Sequence, residues 1–390
     1  MISVEEASRR ILSVFAPLSG ERIALENAAG CILAADAHAA ADQPPYPVSM
    51  MDGYAVRSAD TGPRRLIGSA PAGRPFVGAL GAGETVRLFT GSVVPDGSDA
   101  VLAQEDAIAE GDVVRFTETP HPGKFIRLKG LDFRAGETLL PKGRRLAARD
   151  LALLAAGDLA TVDVVRRPVI AFAATGDELS RPGEPRKPGG IVSSSVYGLS
   201  ALIAQWGGIP RDLGILPDRA EVIAQLAEEK CDLLVTLGGA SVGDHDLIQT
   251  ALGSRGLALD FWKIAMRPGK PLIFGRLGET PFLGLPGNPV STLVCATLFL
   301  RPAIAAMLGA ATDTPLLRGR LGGALKANDQ RQDYLRARSE WRDGERWAHP
   351  LPKQDSSMLK AFSEADALIV RAPYASVLAE GADIDLLMLE

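Results

Sequence analysis

Leu233-Leu234-Val235-Thr236-Leu237 runs directly into Gly238-Gly239-Ala240-Ser241-Val242-Gly243-Asp244-His245-Asp246. Residues that are all aliphatic or β-branched, with no polar alternation, predict a strand buried on both faces. The glycines that follow lack a Cβ, so the amides of Gly238, Gly239 and Gly243 can approach an anion closely and form an oxyanion nest. Ser241 adds a hydroxyl donor, and Asp244 and Asp246 are hard oxygen ligands suited to Mg²⁺ bound together with a phosphate. Alone, the stretch is explained equally well as a glycine-rich turn capped by an aspartate. A second stretch separates the two explanations. Leu285-Pro286-Gly287-Asn288-Pro289-Val290 follows another apolar run, 281–285, and opens an apolar helix. Two backbone-exposing turns at strand ends put a ligand at the carboxyl edge of a parallel sheet.

The surrounding chain supports such a sheet. From Pro168 onward, strand-like runs at 169–173, 213–216, 232–237, 261–264, 272–274 and 281–285 are interleaved with helical patterns at 199–206 and 290–308. Asp218 with Glu221 has the spacing of a capping box, so Asp218 reads as a helix N-cap. This alternation predicts a doubly wound α/β domain over 168–312. A chain of 390 residues is too long for one core. Short strands and glycine turns predict a small β domain inserted at 42–135, between the halves (1–41 and 136–167) of an elongated N-terminal α+β unit. That unit starts on a capping box at Ser3–Glu6 and includes a helix over 148–157 ending on a C′ glycine. Alternating runs at 334–338 and 367–370 predict a C-terminal β-barrel-like domain over 313–390.

Composition excludes several classes of function. The net charge of −5 argues against a nucleic-acid footprint. No stretch suggests a membrane span of about 20 apolar residues, and the acidic, helical N-terminus is not a signal peptide. Cys31, Cys231 and Cys295 are few, odd in number and widely spaced, as in a reduced cytoplasmic protein.

Three further groups carry chemistry. Asp52-Gly53, after the proline-rich 44–47, reads as a tight turn presenting one carboxylate. Asp177 and Glu178 stand where the strand 169–173 ends, at the same sheet edge as the Gly238 turn. Lys263, Arg267 and Lys270 put three cations into eight residues of an acidic chain, flanking Pro268-Gly269; a solvated loop is the plain alternative.

Together, Gly-Gly-Ala-Ser-Val-Gly-Asp-His-Asp (238–246), Arg-Pro-Gly-Lys-Pro (267–271) and Gly-Leu-Pro-Gly-Asn-Pro-Val (284–290) resemble the MoeA family, the molybdopterin molybdenumtransferases related to the gephyrin E domain. The resemblance covers nearly the whole chain. It implies insertion of molybdate into adenylated molybdopterin with Mg²⁺-dependent release of AMP, in a cytoplasmic homodimer that can contact a molybdopterin adenylyltransferase. It implies catalytic roles for Asp52, Glu178, Asp246, Lys263, Arg267 and Lys270, with Asp52, Glu178 and Asp246 as Mg²⁺ ligands and Asp218 as a weaker candidate. The substrate would be bound by Thr90, Arg127, Asp132, Gly238, Gly239, Ser241, Gly243, Pro286, Gly287, Asn288, Pro289 and Ser356. Arg336 and Gln354-Asp355-Ser356 resemble further contact segments, and the hydroxyls of Ser193-Ser194-Ser195 would cap a helix. Two other functions share the fold: a molybdopterin adenylyltransferase, normally a single small domain, and a non-catalytic molybdopterin-binding scaffold.

Overall fold

The computed structural model describes residues 1–239 and 247–389. The chain divides into two units, Glu21–Val164 and Met1–Gly20 with Val165–Glu390. In the second unit, Leu233–Leu237 is buried along its whole length, as the central strand of a sheet covered on both faces must be. It pairs in parallel with Val169–Thr175 on one side and Thr280–Leu285 on the other. Ile209–Leu216 extends the parallel set. Beyond Thr280–Leu285 the sheet turns antiparallel, adding Ile273–Leu277 and then Leu257–Phe261. The reason is local. Only Gly278 and Glu279 separate Ile273–Leu277 from Thr280–Leu285, room for a hairpin but not for a crossover helix.

The apolar helical run after Pro286 spans Pro289–Met307, with a π-helical segment at Ala296–Leu300. Pro302 has no N–H to bond back one turn, and the widened turn just before it absorbs the mismatch. By length and composition this run could cross a membrane, which corrects the sequence-based expectation; 72% of its apolar window is buried inside the fold. The helix Val4–Leu12 packs against its last part. Only half of the predicted capping box forms: Ser3 accepts from the Glu6 N–H, while the Glu6 carboxylate goes to Arg9 and Arg10.

Gln332–Arg342, Glu345–Pro350, Leu317–Leu321, Asp383–Met388 and Ala367–Arg371 pair in that order, and the last returns to the first. They close a five-stranded barrel around Leu321, Ala337, Ile369 and Leu386. Met266–Arg267, from the α/β region, pairs in parallel with Gln332 and Asp333.

In the unit Glu21–Val164, six strands form one sheet, in the order of first residues 100, 53, 84, 64, 113 and 107. Gly53 is not in a tight turn. Gly53–Val56 is a central strand between Glu84–Leu88 and Ala100–Ala103, and a Cβ on Gly53 would collide with the Leu102 carbonyl oxygen, so glycine serves close backbone approach there. The helix Ala148–Ala156 packs with Ala28, Leu33, Leu140 and Val162. Gly157 keeps an ordinary φ of −76°, and the left-handed residue is Asp158.

Candidate active site

Three neighbouring parallel strands end at Thr175, Leu237 and Leu285, and their turns line one cavity of about 1220 Å³. The turns touch backbone to backbone. Gly238 has φ +92°, and a Cβ there would lie 3.0 Å from the Thr175 carbonyl oxygen; one on Gly287 would lie 3.4 Å from the Gly238 Cα. The positive φ and the close approach to the Thr175 carbonyl are the physical demand behind Gly238, while a Cβ on Gly287 would make an ordinary contact. Pro289 occupies the first turn of its helix, where a missing N–H does no harm. The Thr292 hydroxyl donates to the Pro286 carbonyl at 2.6 Å. The Asn288 amide donates to Ser356 Oγ at 3.0 Å, and the Val290 N–H donates to the Ser356 carbonyl. The predicted Gly238, Gly239, Pro286, Gly287, Asn288 and Pro289 therefore share the cavity wall, with Ser356 one hydrogen bond away. Ser241, Gly243, Asp244, His245 and Asp246 lie outside the described residues.

Glu178 and Asp218 line the same cavity. The N-cap expectation for Asp218 is corrected: the helix Ala220–Ile223 has Arg219 at its N-cap position, with no side-chain cap. Asp218 instead donates its N–H to Asp177 Oδ1 at 3.4 Å. Burial, with the charges of Asp177 and Glu178 added, pushes its carboxyl above the usual range. Ser193, Ser194 and Ser195 also line the cavity. Ser194 holds the N-cap position of Ser195–Gln205 without a side-chain cap, so the serine run faces the cavity rather than capping the helix. Among the described residues, no three His, Cys, Asp or Glu side chains gather closely enough to hold a metal ion by themselves.

The three predicted cations have different surroundings. The Arg267 guanidinium forms a close ion pair with Asp333 and reaches Asp329 at 3.4 Å and Asn328 at 3.3 Å. It ties the 266–270 segment to the barrel, so it does not stand as an open cation. Lys263 Nζ lies 3.8 Å from the centroid of the Trp262 ring. Lys270 is half-buried and adjoins Pro271, which lines the cavity. Arg336 is 1% exposed and donates to the Asp355 carbonyl at 3.3 Å. Gln354 brackets its backbone, accepting from the Arg336 N–H and donating to the Arg336 carbonyl. This fixes the turn that carries Ser356.

In the unit Glu21–Val164, Asp52 Oδ1 accepts from the Thr90 N–H at 2.7 Å and from the Thr90 hydroxyl at 2.8 Å. These bonds, with the charge of Arg87, hold the Asp52 carboxyl below its usual range. The Thr90 hydroxyl thus gives its proton to Asp52, on an exposed part of the surface. Sequence reasoning missed Arg87, whose guanidinium lies 4.8 Å from the Tyr54 ring centroid and 5.3 Å from that of Phe89. A partly exposed arginine in a short strand gives no distinguishing signal. Arg127 and Asp132 line a separate cavity of about 680 Å³ in this unit, with Tyr46 and Leu131.

Fold and geometry define a multidomain α/β protein with a ligand cavity at the carboxyl edge of its parallel strands. Residues 2–157 match the MoeA N-terminal region (domain I and II), 171–306 a probable molybdopterin binding domain, and 318–389 the MoeA C-terminal region (domain IV). A molybdopterin molybdenumtransferase of Nostoc sp. is 33% identical, over 100% of this chain and 94% of its own. One from Bacillus subtilis is 32% identical, over 95% and 90%. The solved molybdopterin biosynthesis moeA protein of Pyrococcus horikosii superposes with a TM-score of 0.86 at 30% identity, covering 100% of this chain and 99% of that one. The chain belongs to the MoeA family.

Proposed function

We infer that this chain is a molybdopterin molybdenumtransferase of molybdenum cofactor biosynthesis, and we propose that it inserts molybdate into adenylated molybdopterin with Mg²⁺-dependent release of AMP. One observation carries the finer reading: two carboxylates, Glu178 and Asp218, share a cavity with backbone turns that suit phosphate. The turns at Gly238–Gly239 and Pro286–Asn288 bind and orient the phosphates. Lys270 and Lys263 supply positive charge for molybdate, while Arg267 acts as a strut.

Mg²⁺ fits the donor set. Glu178 and Asp218 are hard oxygen donors, and a cation would offset the burial that raises Asp218, to which the charges of Asp177 and Glu178 add. They would hold the ion, with Asp52 and Asp246 as the further candidates. When bound, it neutralises phosphate oxygens during pyrophosphate cleavage. Two Mg²⁺ ligands from the protein are compatible with an ion that keeps several waters and uses phosphate oxygens.

We also propose the four-part division 1–41 with 136–167, 42–135, 168–312 and 313–390. A cytoplasmic location agrees with cysteines that are few and odd in number. We propose a homodimer, in which a partner would cover apolar side chains that this unit leaves exposed, among them Tyr46, Met50, Met51, Phe89, Leu128 and Leu131. A molybdopterin adenylyltransferase remains a candidate partner. The single-domain alternative function leaves the matched regions 2–157 and 318–389 without a role.

The test is AMP release from adenylated molybdopterin, with and without molybdate and Mg²⁺. Release that requires both is expected. Release indifferent to molybdate contradicts the insertion step, and absence of release favours a scaffold.

A further inference from the structure

Thr175 ends the strand Val169–Thr175 and lines the cavity. It is 6% exposed, and its Oγ1 is buried without a hydrogen-bond partner among the described residues. A buried hydroxyl without a partner is destabilising, and such groups in native proteins call for an explanation. The surroundings supply one. Oγ1 would lie 3.4 Å from a Cβ built on Gly238 and 3.1 Å from one built on Gly239. The hydroxyl therefore stands against the glycine turn, at the point where missing side chains leave backbone open. Thr236 gives the contrast. Its Oγ1 is equally buried and unpartnered, but Thr236 is fully buried within the sheet and does not line the cavity.

We propose that the Thr175 hydroxyl is a substrate-binding donor, giving its hydrogen bond to a phosphate oxygen seated against the Gly238–Gly239 and Gly287 turns. This rests on reading the cavity as a phosphate-binding site. The hydroxyl is set by the packing of the strand end and the glycine turn, so it meets the ligand already oriented. A ligand oxygen at that point satisfies a donor that has no partner among the described residues.

The test uses the full chain, with AMP as probe and adenosine as its phosphate-free control, both measured calorimetrically. Thr175→Val keeps the β-branched shape and removes the hydroxyl. It should raise the Kd for AMP roughly 10- to 150-fold, the range for a hydrogen bond to a charged group, and leave adenosine binding unchanged. In the absence of ligand it should melt at or above the wild-type temperature, because a buried donor with no partner among the described residues has gone. Thr175→Ser should keep AMP affinity within a few-fold, and Thr236→Val should leave it unchanged. If wild type binds AMP and Thr175→Val binds it equally well, the assignment is overturned and the phosphate reading stands. If Thr175→Val melts far below wild type, the hydroxyl is structural and the assignment again fails. If wild type shows no AMP binding, the phosphate reading of the cavity falls, and this assignment with it.

Discussion

The carboxylates at the strand-end cavity and the arginine that pairs with the barrel are held in opposite ways. Glu178 and Asp218 are brought together on one cavity wall, and Asp218 titrates above its usual range because of burial and the negative charges of Asp177 and Glu178. Arg267, expected to act alongside Lys263 and Lys270, has its charge met by Asp333 and Asp329 of the C-terminal region. A partly buried carboxyl beside like charges invites a ligand of opposite sign, whereas a matched ion pair holds structure together. Spacing along the chain could not tell the two apart. The neighbours decide.

The comparison can be broken most forcefully at the carboxylates. Glu178→Ala should lower AMP release about 100- to 1000-fold, the scale for removing one preorganised electrostatic group, while melting like wild type. Mixed and reassembled with an Asp52→Ala chain, it should regain part of the activity; mixed dimers without recovery would show that one chain carries a whole site. Lys270→Gln should raise the molybdate needed for half-maximal insertion roughly 5- to 150-fold, with pterin binding and thermal stability unchanged.

Arg267→Gln should give the reverse pattern. Its partner Asp333 is 4% exposed, while Arg267 itself is substantially exposed, so the loss of stability should lie between those of surface and buried pairs, about 1–3 kcal/mol. Denaturant unfolding measures it. A molybdate requirement that rises as much as in Lys270→Gln, with stability intact, would return Arg267 to the oxyanion site.

The smallest effects concern pH. Asp218 has a folded pKa above its unfolded value, so ionising it weakens the fold as pH rises from about 3.9 through the folded pKa. Asp218→Asn should therefore gain in melting temperature over wild type as pH rises across that range. Asp329 behaves oppositely. Hydrogen bonds from the Arg331 side chain and backbone, with Arg267 nearby, hold it at about 2. Its stabilising contribution is complete above about pH 3.9 and disappears as pH falls toward 2. Asp329→Asn should thus be less stable than wild type near neutrality, with the deficit shrinking in acid. Parallel melting curves for both variants would remove the electrostatic contrast between the two regions.

Residues whose role follows from local backbone chemistry were legible in the sequence. Gly238 and Pro289 announce strand-end turns because a left-handed or pre-set backbone is needed there, and the parallel strands follow from uninterrupted apolar runs. Arg267 was not legible, since its partner Asp333 lies 66 residues away in sequence. Asp218 was misread because an acidic residue three positions before a glutamate imitates a capping box; the helix starts later and frees the carboxylate. Asp52-Gly53 imitates a turn, and only the pairing with Ala100–Ala103 shows why glycine is needed. The antiparallel edge was hidden for a similar reason, as the two-residue link at Gly278-Glu279 fixes strand direction without changing the apolar pattern.

Asp218 offers the most direct test, because its place in the cavity comes from the fold and not from its sequence context. AMP release from adenylated molybdopterin should be measured for Asp218→Asn at saturating molybdate and Mg²⁺, with molybdopterin binding followed in parallel. If the strand-end cavity carries the chemistry, the variant binds the pterin, melts at or above the wild-type temperature at neutral pH, and releases AMP about 100-fold or more slowly. Release at the wild-type rate would contradict that placement of the reaction.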